Sequence, residues 1–518
     1  MHNSPDNLTA NSPGRSDTLQ SAIFVLVYLT AAIAIMLEWG NELFQSYYID
    51  GVVLVSAVYF VLLLLLSSHS LRLFYLLTPV VVISVPNAIN DLLPAYAMAP
   101  LSDLGAAHFA FFTHIDLYLL FGIIFHGARS GSERPGAINP IWMLVVLAAY
   151  LGGYLYAMWS DQRSLGGFAV WAFQYRYILL AMAFVSLPSL QGQRVWLMLW
   201  GLYLATLLNI VESILFTEFR LGGLSEHRLT SGNLGHNAFG NYLAAVAMVS
   251  YAHYSSARRM ESPNQWVLAI FFLVFTSAAF LTDTRMSALA LLASLILFHL
   301  AFYRIVRLSA LVPVVVAMFV LMSPLGISNL QNVGEYVGEV LPKVVDEAQR
   351  ASVNDAPVTT ETATTQTRMI LWRGAWQMIQ ENPLYGVGAG EWNFVKSRYA
   401  IHWDTMLDSH NDYLHYLACS GLIVGCVFIL FLYATPWITA LKLAYQDRML
   451  MFRYCPFLVF SITLSMCSLS NSNSHKHQIF TMLALFAMMA LRYRAENVAE
   501  DPGWRYCAGI GEGNVSDE

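Results

Sequence analysis

Apolar stretches of about 20 residues recur along this 518-residue chain, and they leave few folds open. A stretch of that length can cross a bilayer as an α-helix, the one single-segment form that satisfies its own backbone N–H and C=O groups in lipid. The windows lie at 20–38, 51–66, 71–86, 107–126, 140–159, 168–188, 194–216, 237–255, 265–281, 286–302, 307–325, 412–436, 454–470 and 477–492. Several are short, and 71–98 also reads as one kinked segment, so about 12–14 transmembrane helices are expected. Charged residues make up 12% of the chain and hydrophobic ones 57%, against about a quarter charged in a soluble domain. The mean hydropathy is +0.53. The expected class is an all-α polytopic integral membrane protein.

The net charge of −6 is spread along the connections and forms no basic stripe, so no nucleic-acid partner is expected. The five cysteines, Cys419, Cys426, Cys455, Cys467 and Cys507, lack zinc-type spacing and read as packing residues or free thiols. Orientation follows from Lys and Arg. One set of alternate connections holds Arg15, Arg72, Arg129, Arg134, Arg194, Arg258, Arg259, Arg304, Arg307, Lys442, Arg448 and Arg453, together with the C-terminal tail arginines. The opposite connections 39–50 and 87–106 hold none, and 160–167 holds only Arg163. Both termini are therefore expected in the cytoplasm. The expected divisions are a disordered tail (1–19), a transmembrane bundle (20–325), an outer loop (326–411), further transmembrane helices (412–492) and a second tail (493–518).

The loop 326–411 is far longer than ordinary connections. Its Thr-rich middle, "NDAPVTTETATTQT", reads as flexible. Beyond it, Leu371, Ala375, Met378 and Ile379 recur at helical spacing until Pro383. An amphipathic helix over 368–381 is expected, on the membrane surface or packed over the bundle.

Candidate chemistry falls on the same outer side. Arg228 precedes a helix start near Asn237, where backbone N–H groups favour an anion; a lone loop arginine is ordinarily just solvated. Arg285 stands at the membrane boundary with Asp283 as its obvious structural partner. Arg176 lies inside an apolar window with no charge partner adjacent in sequence, so a functional role and outward snorkelling are balanced. His410, flanked by Asp408 and Asp412 with Ser409 as a helix cap, suits proton transfer near neutral pH. His415 is rotated roughly 140° from it on a helix, which argues against a two-histidine metal site. "GVGAGEW" follows a helix rather than a strand, so Gly388 fits an anion-binding backbone nest better than a dinucleotide turn.

The ordered runs "RLTSGNLGHNAFGNYLA", "LTDTRMSALALL", "RMILWRGAWQMIQENPLYGVGAGEW" and "SHNDYLHYLACSGLIVG", covering roughly 225–430, resemble the O-antigen ligase superfamily of bacterial ligases, Wzy-type polymerases and O-oligosaccharyltransferases. The resemblance implies a GT-C-like helical bundle in the bacterial inner membrane with a large periplasmic loop. It implies transfer of a whole glycan from undecaprenyl pyrophosphate to an acceptor hydroxyl, with inversion and without metal or cofactor. Arg228 matches the family's first outer-loop arginine, and His410 the histidine of its HN motif. Arg285 matches the arginine of its short SR-type loop, although Thr284 stands before it here. The expected catalytic set is His410, Arg228 and Arg285; Arg176, Asn411, Arg368 and Gly388 join the arginines in binding substrate. The acceptor would be lipid A–core in a ligase, a growing glycan in a polymerase, or a protein hydroxyl in an oligosaccharyltransferase. A glycolipid or anion transporter is the rival class, disfavoured by the long outer loop and by the lack of an evident inverted repeat or paired broken helices.

Overall fold

The computed structural model describes residues 48–86, 113–129, 176–185, 193–216, 234–259, 261–282, 284–302, 311–321, 360–388, 391–399, 408–446, 448–471 and 476–493, with isolated residues between them. Every regular element among the described residues is helical. In chain order these are α1 (Tyr48–His69), α2 (Leu71–Ser84), α3 (His114–Arg129), α4 (Arg176–Val185), α5 (Gln193–Phe216), α6 (Gly235–Arg259), α7 (Gln265–Leu281) and α8 (Arg285–Phe302). After them come α9 (Val312–Leu321), α10 (Thr360–Glu381), α11 (Trp392–Val395), α12 (Asp412–Ile429), α13 (Thr435–Gln446), α14 (Arg448–Cys467) and α15 (His477–Tyr493). The windows 20–38 and most of 140–159, both tails and residues 354–359 of the Thr-rich run lie outside the described residues. The rest of that run, expected to be flexible, is helical: α10 begins at Thr360, a full two turns before the helix expected over 368–381.

Local chemistry accounts for the helix limits. Ser70 separates α1 from α2: its Oγ accepts from Leu73 N at 3.2 Å and caps the second helix. Thr113 and Asp116 form a reciprocal cap on α3, with Asp116 Oδ2 accepting from Thr113 N at 2.7 Å and from Thr113 Oγ1 at 2.9 Å. Three described helices are long and apolar enough to cross a membrane, within Trp196–Ile214, Arg285–Phe302 and Asp412–Tyr445, and further apolar helices are shorter.

The bundle is built around α6, which is buried along nearly its whole length and packs against α5, α7, α8 and α14. A second, smaller core lies under α10. Leu371, Ala375, Met378 and Ile379 turn inward there against Val387, Trp392, Ile401, Ala418 and Cys419. The amphipathic helix therefore packs over α12 through the stripe read from its sequence.

Two expectations change. The segment expected to end near 436 runs on through a π turn, Leu430–Ala434, into α13, so the connection expected at 437–453 is helical to Gln446. And α12, expected to be continuous, is broken at Gly421 (φ 70°, ψ −178°). An apolar Gly-containing run looks continuous to any periodicity argument, because glycine is tolerated inside helices at modest cost.

Candidate functional site

His410 stands immediately before the cap of α12, in a backbone conformation that few side chains adopt. Its φ is +52°, which costs a non-glycine residue about 1–2 kcal/mol. Asp408 holds the turn: its Oδ1 accepts from His410 N at 2.6 Å and lies 3.3 Å from His410 Nδ1. A carboxylate only accepts, so this contact suits a proton on Nδ1 and leaves Nε2 as the basic nitrogen. The His410 side chain is 37% exposed, against 10% for Asp408, so the ring is reachable while its anchor is not. Strain of this kind gathers where surrounding structure over-determines a functional group.

The cap differs from expectation. Asn411, not Ser409, caps α12, accepting from Leu414 N at 3.0 Å. Its Nδ2 donates to Leu469 O at 2.7 Å, so both ends of the amide of a residue expected to touch substrate are committed. Ser409 Oγ instead donates to Asn411 O at 2.8 Å. His415 is buried against the ring of Trp392 (5.3 Å between centroids), beside Cys419.

Arg285 is the first residue of α8 and is half-buried. Arg228 and Asp283 lie outside the described residues. Leu229, next to Arg228, is buried and donates its N–H to Leu281 O at 2.9 Å, at the end of α7. Below Arg285 a buried chain of polar groups runs toward α12. Ser287 Oγ donates to Asn241 Oδ1 (2.9 Å), Asn241 Nδ2 to Asn473 Oδ1 (2.8 Å), and Asn473 N to Asp412 Oδ2 (3.1 Å). Tyr433 OH donates to the same Asp412 oxygen at 2.6 Å. Sequence reasoning passed over Asn241 and Asn473, and named Asp412 only as a neighbour of His410. The available signal was an amide or carboxylate facing into a helical membrane bundle, where such groups seek partners on neighbouring helices.

Gly388 does not form an anion nest. Its N–H donates to Cys419 O at 2.9 Å, and Val387 N donates to Ala418 O at 2.9 Å. On the far side of the break, Leu422 N donates to Pro383 O (2.7 Å) and Ile423 N to Leu384 O (3.4 Å). The turn 383–388 thus takes up backbone groups freed where α12 parts, as buried groups require. Two glycines permit the approach: a Cβ on Gly386 would stand 2.5 Å from Gly421 N, and one on Gly421 2.4 Å from Gly386 N. Arg368 is half-buried near the start of the packed face of α10. Tyr399 OH donates to Glu381 Oε2 at 2.9 Å; burial and this carboxylate push the phenol up to about 12, so it remains a donor.

Arg176 has a partner that lies 60 residues away in sequence. Its Nε donates to Asp116 Oδ1 and its Nη2 to Asp116 Oδ2, both at 2.7 Å, and Nη2 also reaches Tyr177 OH at 3.0 Å. The side chain is thus held in a largely buried bidentate ion pair between α3 and α4, rather than snorkelling. Arg176→Met alone is expected to destabilise the protein by about 3–5 kcal/mol, because it strands a buried carboxylate. The double variant Arg176→Met/Asp116→Leu is expected to recover most of that loss. Thermal unfolding of the detergent-solubilised protein checks both.

Comparison with known proteins supports the resemblance over the later part of the segment that carries it. No curated protein matches the chain. Residues 269–430 match the Wzy_C family model, described as O-antigen ligase. That segment runs from α7 to the π turn and contains Arg285, Arg368, Gly388, His410 and Asn411, while Arg176 and Arg228 precede it. Through residues 269–430 the chain is similar to the O-antigen ligase and Wzy superfamily.

Proposed function

We propose that this protein is a polytopic glycan transferase of the bacterial inner membrane, with both termini cytoplasmic and its site on the periplasmic face. It moves a glycan en bloc from undecaprenyl pyrophosphate to an acceptor hydroxyl, and lipid A–core is the preferred acceptor. The observation that carries the reading is the pair of helix starts inside the family-matched segment: Arg285 heads α8, His410 precedes the cap of α12, and a buried chain of hydrogen bonds joins their first turns.

The chemistry follows from these groups. A cation at a helix N-terminus adds to the positive end of the helix dipole, a local cost that an anion removes. Arg285, joined by Arg228, holds the pyrophosphate and offsets its charge as it departs. His410 Nε2 accepts the acceptor hydroxyl proton. The acceptor oxygen bonds to the anomeric carbon from the face opposite the phosphate, the carbon–oxygen bond to phosphate breaks, and undecaprenyl pyrophosphate leaves with the electron pair. Asp408 is the positioning partner of His410. Arg368 contributes charge from α10 toward the glycan.

The break in α12 is compatible with this reading and gives the transporter reading little support. Transporters coordinate ions with the backbone of broken helices, whereas here the turn 383–388 already engages the parted ends.

The test uses purified protein in detergent, without a gradient, and a labelled lipid-linked glycan. Release of undecaprenyl pyrophosphate with glycan transferred to lipid A–core is the expected result. Transfer to a growing glycan or to a Ser/Thr protein instead would make the enzyme a polymerase or an oligosaccharyltransferase. Absence of release with every acceptor would overturn the proposal.

A further inference from the structure

The buried polar chain beneath Arg285 and His410 is more than a set of satisfied groups. Ser287, Asn241, Asn473 and Asp412 are each fully buried, as is Ser468. They come from four separate places: α8, α6, the turn after α14, and the first residue of α12. Each link has a fixed direction. Asn241 accepts at Oδ1 and donates from Nδ2, and Asn473 accepts at Oδ1 while its Nδ2 donates to Ser468 Oγ at 3.0 Å. Asp412 N in turn donates to Ser468 O at 3.1 Å. An apolar layer of the same volume could repack after a small slide, but a directional chain cannot. Turning α8 by one residue swings Ser287 by about 100° and breaks its bond.

The placement of the chain is specific. Ser287 lies in the first turn of α8, two residues from Arg285, and Asp412 opens α12, two residues from His410. Deeper in the bundle α8 meets α14 through Ser294, whose Oγ lies 3.0 Å from Thr463 Oγ1 and 3.6 Å from Met466 Sδ, at a level without candidate site residues. We propose that Asn241, Asn473 and Asp412 are positioning residues that set the separation and register of Arg285 and His410, so that the anion-holding and proton-accepting groups meet one substrate. The proposal rests on the reading of Arg285 and His410 as the reacting pair. It predicts loss of turnover with little loss of binding, because ground-state contacts survive a shift that spoils attack geometry.

The experiment is steady-state glycan transfer by the full chain with donor concentration varied. Asn473→Ala is expected to lower kcat about 30–100-fold, with donor KM changed less than about threefold. Asp412→Asn, which keeps an acceptor for Asn473 N, is expected to retain more turnover than Asp412→Ala. Ser294→Ala removes a buried polar contact from the same helix away from the site, and is expected to keep kcat within about twofold. Where Asn473→Ala does not accumulate, Ser287→Ala, which removes one terminal bond, replaces it with an expected loss of about tenfold. Turnover in these variants matching Ser294→Ala, while His410→Ala is inactive, would overturn the positioning role alone. Wild-type turnover by His410→Ala would overturn the underlying functional reading.

Discussion

Glycan transfer by His410→Ala is expected to fall about 10²–10⁴-fold, the range that a positioned general base contributes. Geometry carries the expectation. The backbone at His410 is held left-handed by Asp408, at a cost the fold would shed if the ring had no task. The ring remains accessible at 37% exposure while Asp408 and the capping groups beneath it are buried. Pyrophosphate is a good leaving group, which draws the effect toward the lower end of the range. With His410 in its proposed role, taking the acceptor proton, donor KM should change little and kcat should carry the loss. His410→Gly supplies a second reading: it relieves the left-handed backbone, so stability should hold or rise while activity is lost. Transfer assayed beside thermal unfolding separates the two effects. Wild-type transfer by His410→Ala would end the assignment.

Gly421→Ala is expected to destabilise the protein by about 3–5 kcal/mol. Two costs combine. At φ 70° and ψ −178° the backbone occupies a region open essentially only to glycine. The new Cβ would also stand 2.4 Å from Gly386 N, Leu384 O and Tyr385 N, all backbone atoms that no rotamer change can move. The turn 383–388 must therefore lift, and its hydrogen bonds to α12 go with it. The smaller core under α10 shares Val387, Ala418 and Cys419 with this junction, so it loosens too. Gly127→Ala is the control: its nearest neighbour is Leu187 Cδ2 at 3.8 Å, an ordinary contact. The thermal midpoints of the two variants should separate clearly, and accessibility of α10 to protease should rise only for Gly421→Ala. Equal midpoints would show that the turn is not keyed to the break.

What was legible in the amino-acid order was whatever depends on neighbours a few residues apart. The inward stripe Leu371, Ala375, Met378 and Ile379 recurs at helical spacing, and those side chains are the ones buried under α10. The window 265–281 coincides with α7, and the start of the helix after His410 is marked by the cluster of short polar residues before it. The resemblance carried by the ordered motifs overlaps the segment 269–430 that matches the O-antigen ligase family model. These signals survive because hydrogen bonding and burial in a helix repeat over one or two turns.

Everything that brings distant segments together was silent until the chain was folded. Arg176 looked unpartnered because Asp116 lies 60 residues away. Asn241 and Asn473, 232 residues apart, read as unremarkable amides near apolar windows. Gly388 looked like a free nest because nothing local reveals that its N–H is claimed by Cys419 O. Asn411 looked like a substrate contact until Leu469 supplied the partner for its amide. A polar group buried in an apolar bundle must find a partner, but its own neighbourhood in sequence does not say where. Periodicity therefore settles which segments are helices and which faces are apolar, whereas the pairing of polar groups across helices, and with it the shape of the site, is decided only by tertiary packing.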